Sequence, residues 1–144
     1  ATGSRALAFG ADLDGDGIRD LLCGLPFLSD RGVAQLRSGA GGALLSEVQG
    51  GAGDRLGGSV AGLGDVDRDG IPDFAAGAHQ GLPGSGQGGP GYVAVFSGRN
   101  GALLRRMDGT IPGSDFGAAL AALDDRDGDG LADLLVGAPL ENGG

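Results

Sequence analysis

Asp125-Arg-Asp127-Gly-Asp129-Gly130-Leu131-Ala-Asp133, continuing directly into Leu134-Leu-Val-Gly137-Ala-Pro139, is the stretch from which the rest of the chain can be read. Four carboxylates fall within nine residues, and like charges at that density repel one another unless a cation lies between them. The arrangement occurs twice more, as Asp12-Leu-Asp14-Gly-Asp16-Gly17-Ile18-Arg-Asp20 and Asp65-Val-Asp67-Arg-Asp69-Gly70-Ile71-Pro-Asp73. All three read D-x-D-x-D-G-[IL]-x-D. Hard oxygen donors at alternate positions suit Ca2+, which takes about six to eight oxygens in flexible geometry, better than Mg2+ or a transition metal. The spacing predicts that the side chains at positions 1, 3, 5 and 9 converge, that the backbone carbonyl at position 7 adds an oxygen, and that glycine at position 6 makes the bend. Three Ca2+ sites are therefore expected. Their ligands are Asp12, Asp14, Asp16, Asp20 and the Ile18 carbonyl; Asp65, Asp67, Asp69, Asp73 and the Ile71 carbonyl; and Asp125, Asp127, Asp129, Asp133 and the Leu131 carbonyl.

The residues C-terminal to each loop separate these sites from a helix-linked calcium sensor. An EF-hand opens in the same way but closes with a bidentate Glu at position 12 and runs into a helix. Position 12 here is Cys23, Ala76 or Val136, and the loops continue as Asp20-Leu-Leu-Cys-Gly24, Asp73-Phe-Ala-Ala-Gly77 and Asp133-Leu-Leu-Val-Gly137. A short apolar run stopped by glycine reads as a buried strand. Ahead of each loop lie small apolar residues, Arg5-Ala-Leu-Ala-Phe9, Gly58-Ser-Val-Ala-Gly-Leu63 and Ala118-Ala-Leu-Ala-Ala-Leu123, which read as a closely packable strand. A third strand is predicted at 33–37 and again at 92–96. Ser38-Gly-Ala-Gly-Gly-Ala43-Leu-Leu45 then recurs as Ser97-Gly-Arg-Asn-Gly-Ala102-Leu-Leu104, where Asn100-Gly101 signals a tight turn into a fourth strand. The opening aspartates of the loops are 53 and 60 residues apart. Each period is thus four short strands with an acidic loop between the first and second, which points to propeller blades.

Composition agrees once the repeats are seen. The 144 residues include 34 Gly and 6 Pro, with 5 Phe, 1 Tyr and no Trp, a bias that without periodicity marks low complexity. Yet 40% of the residues are hydrophobic and the mean hydropathy is slightly positive, too apolar for a chain kept unfolded by charge. The net charge of −9 comes from 19 acids and 10 arginines, and the loops hold twelve of the acids, so the acidity is local. Scattered arginines on an acidic chain argue against a nucleic-acid partner, and no apolar run approaches the length that crosses a bilayer. The lone Cys23, in Leu21-Leu22-Cys23-Gly24, reads as a small buried hydrophobe. A single His, no Lys and no nucleophile elbow leave catalysis without candidates, so no enzyme is expected; His79 reads as a turn residue.

In these respects the chain resembles the FG-GAP repeat family, which includes the calcium-binding blades of the integrin α-subunit propeller and many bacterial surface proteins. The resemblance is carried by Phe116-Gly117 and Gly137-Ala138-Pro139 around the third loop, Leu56-Gly57 and Gly77-Ala78-His79 around the second, and Gly24-Leu25-Pro26 after the first. It departs from the family pattern at Leu56, His79 and Leu25. Phe9-Gly10 is not a corner, because counting back nine residues from each opening aspartate reaches Phe116, Leu56 and Gly3. The expected fold is all-β, with four-stranded antiparallel propeller blades. About two and a half FG-GAP-type blades fit, approximately 3–55, 56–115 and an incomplete 116–144, as a segment of a seven-bladed β-propeller. A ring of that kind needs about 400 residues at roughly 55 per blade, so the chain reads as a piece of a longer protein with a blade face exposed at either end.

In an up-and-down blade the acidic loops and the Ser-Gly turns share one face. The loops after the second strand share the other with the crossings near Asp54-Arg55 and 108–115. The resemblance implies that Ca2+ is structural and that an extracellular or cell-surface protein binds a protein or glycan ligand on the face away from calcium, as in cell adhesion. Neighbouring blades of the same or another chain are the other expected partners. The alternative is an accessory propeller segment of a secreted hydrolase, since the family also includes such enzymes. The stretch from His79 to Gly91 makes this connection six residues longer than its first-copy counterpart; it reads as a tolerated insertion, or else as a functional loop.

Overall fold

The computed structural model describes residues 6–80 and 88–140, and within each sheet the strands lie side by side in chain order. The first sheet holds β1 (Ala6–Phe9), β2 (Leu21–Leu25), β3 (Val33–Arg37) and β4 (Leu44–Gln49). The second holds β5 (Leu56–Gly64), β6 (Asp73–Ala78), β7 (Tyr92–Phe96) and β8 (Leu103–Asp108), and the third pairs β9 (Ala119–Leu123) with β10 (Asp133–Gly137). All pairs are antiparallel, and the register repeats: Leu22 stands opposite Leu36 as Ala75 stands opposite Val95. These are up-and-down propeller blades, with Phe9 inside β1 as its spacing required. The Gly3 position lies outside the described residues, as do residues 81–87 of the long connection. The described residues include no helix, and so none long and apolar enough to cross a membrane.

Every residue of β6 and β7 is buried, because the two faces of the middle sheet pack against different neighbours. Side chains alternate across a strand. Phe74, Ala76, Ala78, Tyr92, Ala94 and Phe96 face the first sheet, meeting Leu22, Ala34, Leu36 and Val48. Ala75, Val93 and Val95 point the other way, to Leu120, Leu134 and Val136 of the third sheet. A strand covered on both sides must be apolar at every position, which accounts for Phe74-Ala-Ala-Gly-Ala78 and Tyr92-Val-Ala-Val-Phe96. The outer strand β8 is largely exposed, with Met107 its half-buried residue on the side of the third sheet. Cys23 departs from expectation. It pairs with Leu7 and Gln35 and is only half-buried, because the register turns it to the face of the first sheet that the second does not cover.

The blades interlock through glycine. A methyl group at Gly24 would collide with the Gly57 carbonyl, and one at Gly77 with the Gly117 carbonyl. The glycine one residue from the end of a blade's second strand therefore lies directly on the corner glycine of the next blade. Gly57 and Gly117 have φ of 92° and 88°, a left-handed conformation that costs glycine nothing. Parallel bridges Gly32–Leu56 and Gly91–Phe116 fix the same junctions. Leu56 is fully buried and seals its corner without an aromatic ring.

Backbone bonds pin the crossings between blades. Leu56 N–H donates to the Arg31 carbonyl (3.0 Å) and Gly50 N–H to that of Gly32 (3.2 Å); Phe116 to Pro90 (3.3 Å) and Gly109 to Gly91 (2.9 Å) repeat the pattern. In the first crossing the Asp54 carboxylate accepts from Tyr92 Oη (2.8 Å), Gln80 Nε2 (3.0 Å) and Gly51 N (2.8 Å). Burial opposes its charge, but these donors hold the carboxyl below the ordinary aspartate range. Burial and the bond to Asp54 push the Tyr92 phenol up, while the Arg106 guanidinium lies 3.7 Å from the ring centroid.

Candidate metal centres

Each acidic loop folds around its first aspartate. Asp12 Oδ1 accepts from Gly15 N (2.7 Å) and Oδ2 from Gly17 N (2.8 Å). Asp125 does the same with Gly128 N (2.7 Å) and Gly130 N (2.8 Å), and Asp65 takes Asp69 N (2.9 Å) and Gly70 N (2.8 Å). The donors from Gly130 and Gly128 hold the Asp125 carboxyl below the ordinary range. The glycines at position 6 have φ of 85°, 89° and 85°, which aims their N–H groups inward. At position 4 the first and third loops use Gly15 and Gly128, whereas the second places Arg68 in the same left-handed region at φ 63°.

The aspartate at position 9 ties the loop to the blade. Asp20 and Asp73, both essentially fully buried, accept from position 2 through Oδ2 (Leu13 N, 2.7 Å; Val66 N, 2.8 Å). Through Oδ1 they accept from the Ser-Gly turn, Gly39 N and Gly98 N at 3.0 Å each. A methyl on either turn glycine would collide with the carbonyl of Arg19 or Pro72. The acidic loops and the Ser-Gly turns thus occupy one face, as the strand alternation required. The Asn100-Gly101 turn is longer than a two-residue hairpin. Ser97 N–H and Ala102 O close it at 2.8 Å, and Asn100 Oδ1 accepts from Ala102 N (2.9 Å), because the extra residues are needed to bring Gly98 over Asp73.

Carboxylate oxygens from positions 1, 3 and 9 come within 4.8 Å of one another in all three loops: Asp12, Asp14 and Asp20; Asp65, Asp67 and Asp73; Asp125, Asp127 and Asp133. Position 5 lies outside these groups. Asp16, Asp69 and Asp129 each turn one oxygen onto the N–H two residues on, at 2.7, 2.8 and 2.8 Å. In the second loop, desolvation and the carboxylates of Asp73, Asp69 and Asp65 push the Asp67 carboxyl up. Asp69 moves down instead, because Arg99 donates Nε to its Oδ2 (2.6 Å) and Nη2 to its backbone carbonyl (2.6 Å). The motif spacing gives no sign of Arg99, which stands in the Ser-Gly turn where the first copy has Ala40. Three hard oxygens in one small volume, with no nitrogen or sulfur donor among them, fit a hard divalent cation.

The FG-GAP repeat pattern matches residues 56–96 and 116–144, each match opening at the interlocking corner. Human integrin alpha-IIb is 38% identical to the chain over 151 aligned positions, covering 88% of it. The chain belongs to the FG-GAP repeat family. Chicken integrin alpha-V is 34% identical, also over 88%, and Xenopus laevis integrin alpha-4 33% identical over 92%. The chain spans about 14% of the length of each of these relatives. The first sheet lies ahead of the residues matched by the FG-GAP pattern, yet its loop repeats the hydrogen bonds of the other FG-GAP loops.

Proposed function

We propose that this chain is a non-catalytic calcium-binding module, with blades at about 3–55, 56–115 and 116–144, belonging to a larger, seven-bladed extracellular or cell-surface propeller. The observation that carries the reading is the convergence of three carboxylate oxygens in each of the three loops. Asp12, Asp14 and Asp20 would hold the first ion, Asp65, Asp67 and Asp73 the second, and Asp125, Asp127 and Asp133 the third. Asp16, Asp69 and Asp129 and the carbonyls of Ile18, Ile71 and Leu131 would complete the spheres. A bound Ca2+ would supply the positive charge these carboxylates lack. The chain's own residues do the rest: the position 1 aspartate shapes the loop, and the position 9 aspartate transmits that shape to the turn between the third and fourth strands.

The likeness to integrin α chains supports an adhesion role, with a protein or glycan ligand on the face away from the acidic loops and neighbouring blades against the sheet faces. Calorimetry in calcium and in chelator tests the metal. Extracellular modules bind at about 10⁻⁴–10⁻³ M, and at tenfold excess over Kd each site adds about 1.4 kcal/mol. Chelation is expected to lower Tm by about 10 °C for three sites in a chain of this size. An unchanged Tm in chelator refutes the reading.

A further inference from the structure

The second acidic loop already holds a cation, and it belongs to the chain. Arg99 approaches from the Ser-Gly turn and grips Asp69 at two points, Nε on the carboxylate and Nη2 on the backbone carbonyl, both at 2.6 Å. Among the described residues the salt bridges are this one and Arg106–Asp108, so no other acidic-loop carboxylate is engaged in this way. The turn itself is placed by Asp73, whose Oδ1 accepts from Gly98 N (3.0 Å), and Arg99 N–H caps back onto Ser97 Oγ (3.2 Å). The backbone therefore delivers the guanidinium to Asp69, within the same nine-residue loop that carries Asp65, Asp67 and Asp73. In the first blade the same turn carries Ala40; Asp16 accepts from Ile18 N (2.7 Å) as Asp69 does from Ile71 N (2.8 Å), but it is in no salt bridge among the described residues.

The geometry points to Arg99 as an internal competitor for the second calcium site, setting that site's affinity below that of the first. This rests on the metal reading proposed above. A dication entering the group of Asp65, Asp67 and Asp73 meets a fixed positive charge, and Asp69 is free to join only if Arg99 lets go. The exchange is open to solvent, since the Arg99 side chain is 53% exposed. Competition by one half-exposed charge is a graded effect, on the order of threefold to tenfold in Kd.

The loops report separately. Gly17, Gly70 and Gly130 each donate their N–H to the position 1 aspartate of their own loop at 2.8 Å, so their amide resonances track the three sites within one 15N-labelled chain titrated with CaCl2. In the unaltered chain the Gly70 midpoint is expected at higher calcium than that of Gly17. Arg99→Ala, which places the first copy's residue at this position of the turn, should bring the Gly70 midpoint down by roughly threefold to tenfold and leave Gly17 in place. Arg99→Lys keeps the charge but not the two-point grip, and should fall between them. A Gly70 midpoint unmoved by either substitution overturns the competition while leaving the metal reading intact, as does an equal shift at all three glycines. If none of the three amides responds to calcium, the metal reading and the competition fall together.

Discussion

Asp73 belongs at once to a group of carboxylates that could hold a metal ion and to the hydrogen bonds that brace the blade. Its carboxylate is buried and accepts from Val66 N at 2.8 Å and Gly98 N at 3.0 Å, joining the start of its own loop to the turn beyond β7. Asp73→Asn puts an amide group against one of those donors, leaving a buried N–H unpaired. It should cost about 2–3 kcal/mol even without metal. Asp69→Ala, at the more exposed position 5, should leave the chelated protein almost unchanged; urea unfolding of both variants in chelator separates the roles. The division between positions 5 and 9 was only partly legible in sequence. Four aspartates at fixed spacing announce a cation, but they do not say which carboxylate is buried, because that depends on a turn 25 residues away. Arg99 was illegible for the same reason: nothing within its own turn marks it as a neighbour of Asp69.

At the scale of the element, β3 and β7 run over residues 33–37 and 92–96, as predicted; β7, covered on both sides, is apolar throughout, whereas β3 keeps Gln35 and Arg37. The edges were harder to read. β4 and β8 are exposed outer strands whose polar residues carry no alternation strong enough to set their ends. The crossing between the first two blades was legible only as a position near Asp54-Arg55; its order comes from Asp54, Tyr92 and Gln80, which meet only after folding. Tyr92→Phe removes one of these bonds and should cost about 1–2 kcal/mol. It also predicts a change with pH. Because the Asp54 carboxyl is held below its ordinary value, its contribution is full above the unfolded aspartate pKa of about 3.9 and lost as pH falls through the lower folded value. Losing the Tyr92 donor should bring the folded value closer to the ordinary one, shrinking that contribution. Unfolding of both proteins between about pH 2 and 6 reads the difference.

For the molecule as a whole, stability depends on how closely one blade can lie on the next. Gly77→Ala places a methyl against the Gly117 carbonyl and the Ser59 hydroxyl, and the backbone of two sheets has to separate to admit it. The expected cost is about 3 kcal/mol, the upper end for overpacking, with the third sheet losing cooperativity with the second. Gly41→Ala, with nothing within 4 Å, serves as the neutral control. Calorimetry should show one transition for the control and a broadened or divided one for Gly77→Ala. Glycine content that resembles low complexity by count is thus, at these junctions, a condition for contact.

The junction has a direction. The second-strand glycine of one copy meets the corner carbonyl of the next copy, Gly24 on Gly57 and then Gly77 on Gly117, and at neither joint does a glycine meet its own equivalent. A contact between unlike surfaces cannot be satisfied by a twofold axis; it propagates head to tail, closing into a ring only when the rotation per copy divides a full circle. Copy number is therefore a question of angle rather than of chemistry, and whole repeats can be gained or lost in duplication without altering any joint.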